Sequence, residues 1–240
     1  MGGAIVTVLG IDTSTPKTSV ALGTDREVLA ALSVQGPARQ DVVASAVDRL
    51  LAWVDRDPAR LRGVAVGVGP GLFTGLRVGV ETAKTLAQVL RIPIVGIPSL
   101  DVLAFGVRRT PKTIAAVIDA RRGEVFWSIY RPVPGGVARE GEFRVGAPDH
   151  LAAELRSRDD HVLAVGNGAI LYRDELAGVG PRRGDARPTP TRTRAAALVE
   201  LAAPRFERGE HERWADVVPL YLRRSDAEIA WDERARGGQG

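Results

Sequence analysis

The sequence predicts an α/β protein of two similar lobes, each a mixed sheet with flanking helices. Three observations carry this. Short apolar runs separated by polar turns open each half and read as antiparallel strands. Segments with apolar residues at helical spacing follow them. An apolar strand ending in Ile-Asp occurs twice: Val6 to Ile11 then Asp12 overlays Thr113 to Ile118 then Asp119, an offset of 107 residues.

The elements follow in order. Thr7 to Ile11, Ser19 to Leu22 and Val28 to Val34 are three consecutive antiparallel strands, with Asp-Thr-Ser-Thr-Pro and Thr-Asp-Arg as turns. Val43, Val47, Leu50, Leu51 and Val54 mark a helix over about 41–54, and Asp57-Pro58 pairs an N-cap with Pro at N1 for one short turn. Gly63 to Val68 is a fourth strand. Thr74 is the expected cap of a second long helix, with Leu76, Val80, Ala83, Ala87 and Leu90 on one face. Ile94 to Ile97 is a fifth strand, and Ser99 is the expected cap of a helix to about Val107. The second half repeats the plan in reduced form: strands from Thr113, over Glu124–Tyr130 and Glu142–Val145, a helix over Pro148–Arg158, a strand from His161 into Gly166-Asn-Gly168, and a helix over Arg194–Arg208.

This order, given twice, matches the ribonuclease-H-like lobe of the actin, Hsp70 and hexokinase class (the ASKHA fold), and implies an internal duplication. The expected division is an N-terminal lobe over 1–107, a C-terminal lobe over 108–224, and a disordered polar tail over 225–240. Pattern does not decide whether the final helix returns to the first lobe.

Composition excludes several chemistries. The 240 residues contain no cysteine, so disulfides, thiolate metal sites and cysteine nucleophiles are out. The three histidines, His150, His161 and His211, form no HxxxH or HExxH pair, so no metal site and no metallopeptidase is expected. Basic residues number 33 against 29 acidic, too weak a bias to indicate a nucleic-acid binder by charge. No signal peptide or ~20-residue apolar span is visible, so a cytoplasmic location and no membrane partner are expected.

Asp12, Thr13, Ser14 and Thr15 put a carboxylate and three hydroxyls on one tight turn. They are the candidate phosphate-binding residues, since hydroxyls and exposed N–H groups hold phosphate and Asp12 can hold magnesium through water. The competing reading, which we favour, is a hairpin cap made by side-chain-to-backbone bonds. Thr13 and Ser14 stand where a nucleotide-binding turn of this class has glycine. Gly69-Pro-Gly-Leu-Phe-Thr-Gly-Leu-Arg77 runs from strand into helix but matches neither the Walker A loop, nor GxGxxG, nor GxSxG. It reads as a shaped turn for close helix packing. At Asp119-Ala-Arg-Arg-Gly-Glu124 the arginines are expected to pair with Asp119 or Glu124. Arg182 to Arg194 holds five arginines against one aspartate, which reads more readily as a solvated loop than as an RNA contact, because it lacks an aromatic residue.

Taken together, Ile11-Asp-Thr-Ser-Thr15, Gly67-Val-Gly-Pro-Gly-Leu-Phe-Thr-Gly-Leu-Arg77, Ala83-Lys84, Ile92-Pro-Ile-Val-Gly-Ile-Pro-Ser-Leu100, Ile118-Asp-Ala-Arg-Arg-Gly-Glu124 and Pro219-Leu-Tyr-Leu-Arg223 resemble the TsaB (YeaZ) family over about residues 5–224. The family's glycine-rich segment usually has serine where Leu72 stands. The resemblance implies a scaffold needed for N6-threonylcarbamoyladenosine at position 37 of tRNAs reading ANN codons. It implies a TsaD-type paralogue as heterodimer partner and transferase, a TsaE-type ATPase in a larger complex, tRNA as an indirect partner, and a homodimer when the chain is alone. No catalytic residue and no cofactor are then expected on this chain. The alternative is a nucleotide-binding, small-molecule kinase-like enzyme of the same fold, for which Asp119 is the obvious cleft carboxylate.

The expected partner surface is the outer face of the helices at 41–54 and 74–90. Ala46 and Trp53 lie off the first helix's apolar stripe, and Thr82, Leu86 and Val89 form a second stripe on the other helix. The competing reading buries both helices within a lobe.

Overall fold

The computed structural model describes residues 7–55, 57–177 and 193–223. The first sheet contains β1 (Val8–Asp12), β2 (Lys17–Gly23), β3 (Val28–Gln35), β4 (Gly63–Gly69) and β5 (Ile94–Pro98), in the order β3-β2-β1-β4-β5. The second contains β6 (Thr113–Arg121), β7 (Glu124–Val133), β8 (Gly136–Gly146) and β9 (Val162–Val165), in the order β8-β7-β6-β9. In both sheets the Ile-Asp strand is central, antiparallel to the next strand and parallel to the fourth. Its apolar run up to the aspartate follows from burial on both faces.

Helices α1 (Gln40–Trp53) and α2 (Phe73–Leu90) cover one face of the first sheet; α4 (Pro148–Arg156) and α5 (Asn167–Leu171) cover one face of the second. The remaining faces are covered crosswise. Helix α3 (Ser99–Phe105), from the first half of the chain, sets Leu100, Leu103 and Ala104 against Ile114, Ala116 and Ile118 of the second sheet. Helix α6 (Arg194–Glu207), from the second half, sets Ala195, Leu198, Val199 and Ala202 against Val8, Ala21 and Ala65 of the first. Residues 108–224 therefore supply a helix to the first sheet. The tail over 225–240 and the basic stretch through Arg192 lie outside the described residues.

Two expected caps are replaced by tertiary bonds. Helix α2 starts at Phe73 with Leu72 at its N-cap, so Thr74 is already inside the helix. The Leu72 N–H is taken by the Ser14 carbonyl at 2.8 Å, which sets where the helix begins. Helix α3 starts at Ser99 itself, whose Oγ accepts from the Gly69 N–H at 3.1 Å and is not free to cap. The Asp57 cap does form, accepting from the Ala59 N–H at 2.8 Å.

After the segment that follows α6, the chain turns back as a strap. Glu212 pairs with Ile94 on the open edge of β5, Val217 enters the first core, and the Leu220 N–H donates to the Val68 carbonyl at 2.7 Å. Arg223 then crosses to the second sheet, donating to Glu124 at 2.5 Å and to the Ala120 carbonyl at 2.9 Å.

Candidate functional site

The turn after β1 is closed by the chain's own atoms. Asp12 is fully buried, and its Oδ1 accepts from the Ser14 N–H at 3.2 Å and the Ser14 hydroxyl at 2.9 Å. The Thr13 hydroxyl donates to the Gly75 carbonyl at 2.7 Å in the first turn of α2. Glycine lets this helix approach so closely: a Cβ at Gly75 would lie 2.2 Å from the Thr13 carbonyl oxygen, and one at Gly79 would lie 2.1 Å from Thr13 Oγ1. From the other side Arg194, the first residue of α6, reaches in. Its guanidinium lies 3.8 Å from Asp12 Oδ1, 3.4 Å from Ser14 Oγ, and hydrogen-bonds to Thr15 Oγ1. The guanidinium places a fixed positive charge beside the buried Asp12 carboxylate. Asp12 Oδ2 has no hydrogen-bond partner, and Gly67 backs onto it, with a Cβ there falling 2.5 Å away.

The second lobe repeats the geometry in open form. Asp119 Oδ1 accepts from the Arg121 N–H at 2.9 Å, the same aspartate-to-second-residue bond that Asp12 makes to Ser14. Gly69, the last residue of β4, and Gly166, just after β9, share positive φ values of 110° and 112°, which turn the chain toward the aspartate turn in both lobes. Beyond Asp119 the chain runs through Arg121, Arg122 and Gly123 with φ of 64°, 55° and 76°, so two arginines are held in a region that L side chains avoid. Arg121 pairs with Asp119 at 3.6 Å, while Glu124 is taken by Arg223.

A cluster that the sequence does not advertise sits between these turns. Phe73 and Tyr221 stack with ring centroids 4.9 Å apart, the Arg77 guanidinium covers Phe73 at 4.0 Å, and its Nε donates to the Tyr221 hydroxyl at 3.2 Å. Tyr221 lies 144 residues beyond Arg77, and neither periodicity nor motif spacing reports such a contact. Elsewhere between the sheets, Tyr130 donates to Asp101 at 2.7 Å. Burial raises the Asp101 carboxyl above its usual range, against the pull of that bond and of Arg139, and raises the Tyr130 phenol too.

The helical face divides. Trp53 and Val89 are 63% and 72% exposed. Leu86 and Thr82 are half-buried, Leu86 against the first core and Thr82 donating to the Val78 carbonyl at 2.7 Å. Ala46 is corrected: it is packed in the core beside Val43, Val47 and Leu50, three residues along from Val43 and so on the buried face, and offers a partner nothing.

Comparison with known proteins agrees with this architecture. The chain is 33% identical to the tRNA threonylcarbamoyladenosine biosynthesis protein TsaB of Bacillus subtilis, over 95% of this chain and 99% of the relative. The chain belongs to the TsaB family. The Escherichia coli TsaB is 29% identical over 93% of this chain and 96% of its own length. The solved structure of YeaZ from Pseudomonas aeruginosa superposes with a TM-score of 0.77 at 29% identity, over 90% of this chain and all of that one. A family model described as TsaD, tRNA N6-adenosine threonylcarbamoyltransferase, matches residues 38–140 of this TsaB-family chain. Together with the two repeated sheets, these likenesses give the fold as two ribonuclease-H-like lobes of the ASKHA type. Among the described residues no helix is long and apolar enough to cross a membrane.

Proposed function

We propose that this chain is a non-catalytic scaffold subunit for N6-threonylcarbamoyladenosine formation at position 37 of tRNAs reading ANN codons, and that it acts by binding a TsaD-type transferase. The observation that carries the reading is the sealed turn after β1. A kinase or transferase of this fold needs that turn open to a phosphate, whereas here Asp12, Thr13, Ser14 and Thr15 are buried and bonded to α2 and Arg194. The role left to such a frame is to present a surface. Trp53 and Val89 offer an aromatic and a branched side chain on adjacent helices, the chemistry of an interface centre. A TsaE-type ATPase would join the pair, and the same helical face would serve a homodimer when the transferase is absent.

The test is co-elution with the transferase together with a tRNA-modification assay run with and without this chain. Because Leu86 also packs on the core, the cleaner variants are Val89→Glu and Trp53→Ala. Both should melt within a few degrees of the parent, abolish or weaken co-elution, and lower modification in parallel. Retained co-elution in both variants would remove this face from the proposal. Titration with ATP and magnesium tests the kinase-like alternative, for which the parent should give saturable heat and a raised melting temperature.

A further inference from the structure

We propose that the cavity between α3, β8 and α6 binds a free α-amino acid with an apolar side chain, its ammonium taken by Asp101 and its carboxylate by Arg139 and Arg205. The inference goes beyond the scaffold reading and does not depend on it. None of the residues lining the cavity belongs to α1 or α2, so it lies apart from the helical face proposed for the transferase.

Three observations point to this ligand. The first is shape. The cavity measures about 400 Å³, a volume usual for small-molecule sites, and Ile97, Phe105, Val137 and Leu201 wall it. The second is charge of both signs left without hydrogen bonds. Arg139 stands 3.6 Å from Asp101 Oδ1 and Arg205 stands 3.8 Å from Glu212. Among the described residues neither guanidinium donates a hydrogen bond, whereas Arg158 reaches Asp160 at 2.9 Å and Arg208 reaches Glu210 at 2.6 and 2.8 Å. Arg139 is instead held over the Phe143 ring at 3.9 Å, a contact that uses none of its N–H groups. Both forks keep their donors for a further carboxylate.

Asp101 is the opposite case. Its Oδ1 accepts from Tyr130, while its Oδ2 has no donor among the described residues. Burial holds this carboxyl above its usual range despite Tyr130 and Arg139, so its charge is under-compensated and an added cation would compensate it. The third observation is spacing. A carboxylate and a guanidinium side by side are the complement of an α-amino acid head, whose ammonium and carboxylate are separated by one carbon. A simple anion would be repelled by Asp101, and a simple cation would meet two arginines. A peptide end carries one of the two charges and lacks the other. The zwitterion answers both signs at once, and its side chain falls against the apolar wall.

Titration calorimetry of the full chain tests this with L-leucine and L-phenylalanine as probes. At least one of them should bind saturably with a Kd below about 1 mM. Leucinamide, which mimics the start of a peptide, and N-acetyl-leucine, which mimics its end, should each bind at least about tenfold more weakly, because each leaves one charge of the site without a partner. L-Glutamate should also bind more weakly, since its second carboxylate would face the apolar wall. Asp101→Asn keeps an acceptor for Tyr130 and should melt within a few degrees of the parent, yet lose at least about tenfold in affinity for the probe. Arg205→Gln should lose a similar factor, and Arg205→Lys should recover only part of it. No saturable heat from the parent with either probe overturns the proposal. Leucinamide or N-acetyl-leucine binding as tightly as leucine also overturns it, because the site would then read a lone charge. Unchanged affinity in both Asp101→Asn and Arg205→Gln does the same, by placing the amino acid elsewhere. Should a variant unfold, the ligand series on the parent decides alone.

Discussion

In the turn after β1, Asp12 accepts from the N–H two residues on and is then covered by α2, Arg194 and the Thr13–Gly75 bond; in the turn after β6, Asp119 makes the same bond and is followed by two exposed arginines. The shared part is the duplicated frame: a central strand carrying Ile-Asp, a parallel fourth strand running into a glycine of positive φ, and a helix that follows it toward the aspartate. The difference shows that one frame can spend its turn on internal packing or leave it at the surface. Gly75 and Gly79 bring the long α2 onto the first turn, and Gly168 likewise brings α5 against Asp119, but α5 is only five residues long and leaves the tip beyond Asp119 exposed.

The largest effect that would break the comparison is expected at Gly75. Gly75→Ala forces a Cβ against the Thr13 carbonyl, and should cost about 3 kcal/mol or a melting temperature lower by about 6–12 °C, read by calorimetry. The corresponding test in the open turn is Gly123→Ala, which meets no atom and should cost only about 1 kcal/mol for its positive φ. Equal losses would mean that the first turn is not packed as described. Next in size is Arg194→Ala, which leaves a buried carboxylate facing hydroxyls alone and should destabilise by about 3 kcal/mol in urea titration. Arg194→Lys should recover only part of this, because an ammonium lacks the fork that reaches Ser14 and Thr15 together. Smaller again is Arg122→Gly, expected to stabilise by up to about 1 kcal/mol by removing a left-handed non-glycine residue.

The smallest effect is electrostatic and lies in the second lobe. Asp160, bonded first by Arg158 and also by Thr113, has its pKa lowered to about 2. A carboxyl depressed in the folded state contributes stability that is full above its unfolded pKa, near 4, and is lost as pH falls toward 2. The difference in urea midpoint between the parent and Asp160→Asn should therefore be constant above about pH 5 and shrink through pH 4 to 2. Asp101 runs the opposite way. Its carboxyl is raised by burial, so its ionised form weakens the fold as pH climbs through the folded value, and Asp101→Asn should flatten that part of the profile.

How much of this the sequence discloses depends on the range of the interaction. Strands, the two long helices and the repeated Ile-Asp turn are legible because their period and punctuation lie within a few residues. Thr74 and Ser99 look like caps, yet the caps fail because Ser14 and Gly69, far away in sequence, take the relevant groups. Ala46 stands three residues from Val43 and so shares its buried face, a relation that the spacing in the sequence discloses. Arg194 and Tyr221 stand in segments that the sequence singles out, yet nothing local reports their partners, which lie well over a hundred residues upstream.

The crosswise helices bear on how the protein is made. The first sheet is complete in sequence by Pro98, but the helix that covers its second face ends at Glu207. At the roughly 5–20 residues per second of translation, that face stays bare for on the order of 5–20 s after its last strand leaves the ribosome. During that interval Val8, Ala21, Ala65 and Val95 are open to whatever reaches the nascent chain first. Any pause in synthesis between the two halves lengthens the time for which that face lacks its covering helix.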